Sequence, residues 1–94
     1  MKEKIVENGI VYEIEDYTEK VEIGKIAKVE LTIEHPEQML GSSRVESSIL
    51  FDEQDKELMN DQDVVDNQEY HSDEDLINSI ARRYNISKDL IESI

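Results

Sequence analysis

Eleven carboxylates lie between Asp52 and Asp75: Asp52, Glu53, Asp55, Glu57, Asp61, Asp63, Asp66, Glu69, Asp73, Glu74 and Asp75. One cation, Lys56, lies among them, so this segment carries −10 of the chain's net −14. Like charges brought close in a folded state cost free energy, so such a run is either left in water or used. Three chemistries use clustered carboxylates: general acid–base catalysis, binding of hard cations, and attraction of a basic macromolecule.

Catalysis asks for a cleft that drives two carboxyl pKa values apart. A chain of 94 residues with four tyrosines, one phenylalanine and no tryptophan has little material for one. There is no glycine-rich phosphate loop, no G-x-S-x-G elbow and no cysteine to pair with a histidine. The expectation is that the protein is not an enzyme and carries no cofactor.

Cation binding fares similarly. An EF-hand loop counted from Asp61 finds Asp63 in place, but Val65 and Asp66 stand where a ligand and the turn glycine belong, and Ser72 stands where a bidentate glutamate belongs. His35 and His71 have no cysteine partners and no metal-ligand spacing, so no metal site is expected.

The third chemistry remains. Carboxylates two apart on a strand stand ~6.6 Å apart on one face, and those four apart on a helix ~5–6 Å apart. Rows of that spacing can stand in for a phosphate backbone, itself a regular polyanion. Net charge of this size repels nucleic acid and anionic membrane at long range and attracts basic surfaces in a salt-dependent way. The charge is clustered: residues 1–51 carry −5 and residues 76–94 carry +1.

The elements that must position the run begin with strands. Ile5-Val6-Glu7, Asn8-Gly9 and Ile10-Val11-Tyr12 spell a hairpin, because Asn-Gly supplies the two positive φ values of a type I′ turn. From Val21 to Glu34 apolar and polar residues alternate, with one phase break at Lys25-Ile26 after Gly24, where a turn or bulge is expected. His35-Pro36 ends the run, and residues 37–43 read as a loop. Arg44 to Phe51 reads as a further strand with Val45, Ile49 and Phe51 on one side. Asp52 to Met59 allows a short helix, and the rest of the acidic segment reads as a loop or arm.

In the last stretch Ser72-x-x-Asp75 is an N-cap with an acidic partner, followed by Leu76, Ile77, Ile80, Ala81 and Tyr84 at helical spacing. Asn85 stops this helix. Ile86-Ser87 then reads as the start of a second, with Leu90, Ile91 and Ile94 on its apolar face. The fold class is α+β: a small antiparallel sheet of three to five strands in the N-terminal half, then a C-terminal helix, turn and short helix. The chain reads as one domain, with a β-rich part over 1–51, an acidic segment over 52–75 and a helical hairpin over 76–94.

Residues Ile80 to Ser87 with Ile91 and Ile94 resemble the core of a helix-turn-helix, and Asp75 to Ile91 is similar to the helical pair of LysM glycan-binding modules. The resemblance covers about twenty residues. A recognition helix carries basic or amide residues, whereas this one shows Lys88 with Asp89, Glu92 and Ser93, and no strand is read after the helices.

In size, charge, absence of cysteine and absence of catalytic motifs, the chain resembles the small phage-encoded DNA-mimic proteins. Asn67-Gln68-Glu69-Tyr70 followed by acids is also similar to a stretch of an anti-CRISPR inhibitor. The class resemblance implies a partner: a basic DNA-binding host protein, such as a nucleoid-associated HU-type protein, RNA polymerase or a defence nuclease. It also implies no direct binding of nucleic acid and a place in the host cytoplasm. The alternative is an assembly protein that docks through its C-terminal hairpin and keeps the acidic run as a solvated spacer. No secretory signal or membrane span is read, and a homodimer joined through the strand region, which holds the long strand Ile26–Glu34, is expected, with residues 52–75 left outward.

Overall fold

The computed structural model describes residues 3–16, 19–36, 42–65 and 68–94. Among these residues seven strands and one α-helix follow in chain order. They are β1 (Glu3–Glu7), β2 (Ile10–Asp16), β3 (Glu19–Lys25), β4 (Lys28–Glu34), β5 (Arg44–Phe51), β6 (Glu57–Asn60), α1 (Asp73–Tyr84) and, after a 3-10 turn over Lys88–Leu90, β7 (Ile91–Ser93). They form two sheets, one in the order β1-β2-β3 and one in the order β6-β5-β4-β7. The α+β class read from the sequence is the class of the fold.

The first sheet is an antiparallel meander. Asn8 and Gly9 take φ 51° and 76°, the two left-handed positions that a two-residue hairpin turn requires. Gly9 is needed for space as well as for backbone freedom. A Cβ there would stand 3.1 Å from Ile86 Cγ2, because the turn is pressed against the end of α1. The amide of Asn85 donates to the Asn8 side-chain oxygen across the same contact at 2.9 Å.

The alternation between Val21 and Glu34 belongs to two strands. It breaks at Ile26-Ala27, where the chain leaves one sheet for the other. The Ile26 N–H donates to Gly9 O and the Ala27 N–H to Phe51 O, both at 2.8 Å, so the link is tied to each sheet in turn. Ile26 itself is buried. Val11, from the first sheet, shares one apolar core with Val29, Leu31, Val45 and Leu50 of the second and with Leu76, Ile80 and Tyr84 of α1.

Strand β5 spans the expected residues, but its sides are not those of simple alternation. Ile33 pairs with Val45 while Thr32 pairs with Ser47, so Glu46 is an extra residue in the ladder. That bulge reverses the phase: Val45, Ser48 and Leu50 are buried, and Ile49 and Phe51 lie half-exposed on the other side.

The helix expected from Asp52 to Met59 is replaced by a tight turn and β6. Asp52 builds the turn, its Oδ1 accepting from the N–H groups of Gln54 and Lys56 at 2.8 and 2.9 Å. Asp55 takes a left-handed φ of 61°. Leu58 is buried against Gly24 of β3, where an added Cβ would come within 2.8 Å of Leu58 Cδ2.

Helix α1 starts and stops where expected. Ser72 Oγ accepts from the Asp75 N–H at 3.1 Å. Asn85 has φ 56°, its N–H reaching Arg82 O while the Ile86 N–H reaches Ala81 O, a Schellman ending.

The expected short second helix is a single 3-10 turn. Ser87 caps only the 3-10 turn, and Ile91–Ser93 then runs parallel to β4, with Val29 beside Ile91. Since β6 also runs parallel to β4 by alternation through β5, β6, α1 and β7 make one crossover over the core face. Ile91 is buried and Ile94 is 72% exposed, so the two isoleucines do not share a helical face. The helix-turn-helix and LysM resemblances require a full second helix; the chain has one 3-10 turn there, and a strand follows it. Strand β4, expected to offer an edge for a twofold partner, has β5 on one side and β7 on the other.

Candidate functional surface

Ten of the eleven carboxylates of the acidic segment lie on described residues; Asp66, with Asn67, lies outside them. The ten fall into two groups. Four are occupied within the fold. Asp52 holds the β5–β6 turn. Asp55 pairs with Lys28 Nζ at 3.1 Å. Asp61 and Asp73 are hydrogen-bond acceptors that join separate elements. The other six, Glu53, Glu57, Asp63, Glu69, Glu74 and Asp75, are exposed, and their carboxylates have no hydrogen-bonding or ion-pair partner. Glu53 stands in the turn, Glu57 opens β6, Asp63 follows β6, Glu69 precedes α1, and Glu74 and Asp75 sit in its first turn. The last two also lie where the helix dipole favours negative charge.

Asp61 corrects the sequence reading, which placed it on the partner-binding surface. It is 3% exposed. Tyr84 Oη donates to its Oδ2 at 2.8 Å, and the Asp63 N–H donates to its Oδ1 at 3.0 Å. Ser48 Oγ lies 3.0 Å from Tyr84 Oη. Serine, tyrosine and aspartate thus make a chain of buried polar groups that ties β5, α1 and the end of β6 together. Burial is the leading cause that pushes the Tyr84 hydroxyl well above its ordinary pKa, so it keeps its proton and acts as a donor. Both oxygens of Asp61 are thus engaged within the fold.

Asp73 is the centre of a second cluster. Ser43 Oγ donates to Asp73 Oδ1, and His35 Nε2 lies 2.8 Å from the same oxygen. Serine, histidine and aspartate are the residue types of a hydrolytic triad, but the order is wrong. A triad needs histidine between the hydroxyl and the carboxylate; here the carboxylate takes the hydroxyl directly. The cluster instead fastens the end of β4 and the start of β5 to the N-terminus of α1. The Ser43 hydrogen bond, and then that of His35, hold the Asp73 carboxyl below its ordinary pKa. His35, read as a strand-end residue, is therefore also a tether.

The cations are dispersed. Lys20 pairs with Glu7 at 2.8 Å and lies 4.5 Å from the Tyr12 ring centre. Arg44 pairs with Glu34 at 3.0 Å. The hydrogen bond to Asp55 raises the Lys28 pKa. Lys4 donates to Leu58 O at 3.1 Å. Among the described residues no lysine or arginine side chain bonds to any of the six free carboxylates.

Among the described residues, no group of three or more His, Cys, Asp or Glu side chains is placed to hold a metal ion. No helix among them is long and apolar enough to cross a membrane. Sequence reasoning also missed an open groove between the outer edges of β1 and β6, lined by Lys4, Ile5, Met59 and Asp63 among others. Its signal was in the hairpin register, which sets the free edge of β1.

Comparison with known proteins finds no family model, no curated protein and no solved structure that matches this chain.

Proposed function

We propose that the protein is a non-enzymatic acidic binding module that occupies the nucleic-acid-binding site of a basic protein. Partners of the fitting chemistry are a nucleoid-associated HU-type protein, RNA polymerase or a defence nuclease, met in a cytoplasm. The observation that carries this reading is the set of six exposed carboxylates without partners, spread over turn, strand end and helix start. A solvated face would serve equally well with its carboxylates paired to lysine or arginine. Among the described residues none of these carboxylates is bonded to a lysine or arginine, and they stay available to a cation from outside.

The alternative, an assembly subunit docking through its C-terminal segment, has less to stand on. Leu76, Ile80, Tyr84 and Ile91 are buried in this chain's own core.

The test is capture of the partner from lysate, followed by competition with DNA. Binding should weaken steeply as salt rises, and DNA should be displaced from the captured protein. A variant carrying E53Q, E57Q, D63N, E69Q, E74Q and D75N should fold and lose the partner. A captured partner that still binds DNA unimpeded in the complex would refute mimicry.

A further inference from the structure

We propose that the groove between the facing edges of β1 and β6 takes up an extended, basic segment of the partner as an added strand. The proposal rests on the reading of the protein as a binder of basic proteins, and it names how a partner segment is held.

The hairpin register decides which backbone groups of β1 are free. The Asn8-Gly9 turn closes on the Glu7–Ile10 pair, which exchanges hydrogen bonds; alternation then makes Ile5–Tyr12 and Glu3–Ile14 the other bonded pairs. The N–H and C=O groups of Lys4 and Val6 therefore point away from β2. Strand β6 is its counterpart. The Asp61 N–H donates to Ser48 O at 2.8 Å, so alternation turns the Asn60 backbone away from β5. The Leu58 carbonyl also points outward, since it accepts from Lys4 Nζ. Among the described residues no backbone hydrogen bond joins β1 to β6.

Two unpaired edges thus face each other across a groove of about 530 Å³. It continues into a pocket of about 200 Å³ that reaches Arg83 and Tyr84. The Lys4 side chain spans it. A lysine on an open edge is a common guard against unwanted pairing, and here its amine rests on a neutral carbonyl that a strand can replace.

Charge selects the occupant. Glu3, Glu57 and Asp63 line the groove, and none is paired with Lys4. A segment with lysine or arginine at alternate positions would pair its backbone with both edges and set its cations beside these carboxylates. A second copy of this chain would bring another −14 to the same place.

The test uses ¹⁵N-labelled protein and a ten-residue peptide of alternating lysine and valine with blocked ends. Two analogues are N-methylated on one or the other set of alternate amides. They keep the charge and lose the donors of one edge. Expected is binding that shifts and protects from exchange the amides of Lys4, Val6 and Asn60, weakened roughly tenfold or more by either methylation. Equal affinity for the methylated peptides, with shifts centred on Glu53, Glu69, Glu74 and Asp75, would overturn the groove and leave the basic-partner reading standing. So would failure of every peptide to bind while a DNA-binding partner is still captured. Failure of both peptide and partner would overturn both. Formation of a dimer through the groove would overturn this proposal in favour of a second copy as occupant.

Discussion

Replacing Tyr84 by phenylalanine removes one oxygen and keeps the shape of the core. The hydroxyl donates to Asp61 at 2.8 Å and meets Ser48 at 3.0 Å. Tyr84 is 1% exposed, and Ser48 is fully buried. A hydrogen bond to a charged group contributes about 1.5–3 kcal/mol, and a neutral one about 0.5–1.5 kcal/mol. Loss of both should destabilise the fold by about 2–4 kcal/mol, a large part of the ~5–15 kcal/mol that holds a domain together. At ~4–8 °C per kcal/mol for a domain of this size, the melting temperature should fall by roughly 10–20 °C or more. Urea and thermal unfolding followed by circular dichroism measure this in Y84F, D61N and the double variant. The two changes act on one hydrogen-bonded chain, so they should couple by about 1 kcal/mol or more. A Y84F protein within ~0.5 kcal/mol of the parent, or strict additivity with D61N, would refute the buried chain as a structural tie. Partner binding by Y84F, measured well below its melting temperature, should be unchanged, which separates Asp61 from the six free carboxylates.

Asp73 should make stability depend on acid. Its folded pKa lies below the unfolded value of ~3.9, so its contribution is present above that value and is lost as pH falls through the folded pKa. The melting temperature of D73N should therefore fall less steeply than the parent's at acid pH, and an identical slope would place the acid sensitivity elsewhere. Gly9→Ala should cost about 1–2 kcal/mol from its left-handed backbone alone, with a further cost where the new methyl meets Ile86; denaturant unfolding reads the loss, and a neutral result would mean that the turn is not pressed against α1.

Local chemistry made some of this fold legible and not the rest. The Asn8-Gly9 turn, the Ser72 cap and the Asn85 stop each depend on a few adjacent residues, and each is where the sequence puts it. The bulge at Glu46 is a property of β5 against β4, so alternation within β5 alone assigns Ile49 and Phe51 to the wrong side. Ile86-Ser87 carries a fair signature of a second helix. Strand β4, some sixty residues earlier, offers Val29 and Leu31 an open neighbour, and the chain takes three residues of parallel strand instead. Asp61 looks like its neighbours Asp63 and Asp66 in sequence. Its burial needs a tyrosine 23 residues away, and nothing adjacent announces it. The acidic surface was legible as charge, but which carboxylates are free was not, because Asp55 and Asp73 are taken by partners that only the fold brings near, and Asp52 by a turn where a helix was expected.

Salt separates the two kinds of assembly open to this molecule. The expected homodimer was argued from the strand region around β4, and β4 lies inside its sheet, with β5 along one edge and β7 along Val29–Leu31 of the other. Apolar side chains left outside include Val21, 49% exposed on the edge strand β3, and Ile94 beyond β7. Any pairing of two copies through such edges brings together two chains of −14. That repulsion is long-ranged and is screened by salt, with a Debye length of ~10 Å at 0.1 M and ~3 Å at 1 M. Self-association should therefore strengthen as salt is added, whereas attraction to a basic partner should weaken. Light scattering at ~10–100 µM, where a dimer of sub-micromolar dissociation constant is fully formed, should give a monomer at low salt, with any shift toward dimer appearing only as salt rises. A dimer that is complete at low salt and dissolves at high salt would mean that opposite charges meet across the interface. Lys20, Arg82 and Arg83 would then be the cations to examine, and the dispersal of positive charge in this fold would have to be read as part of a self-complementary surface.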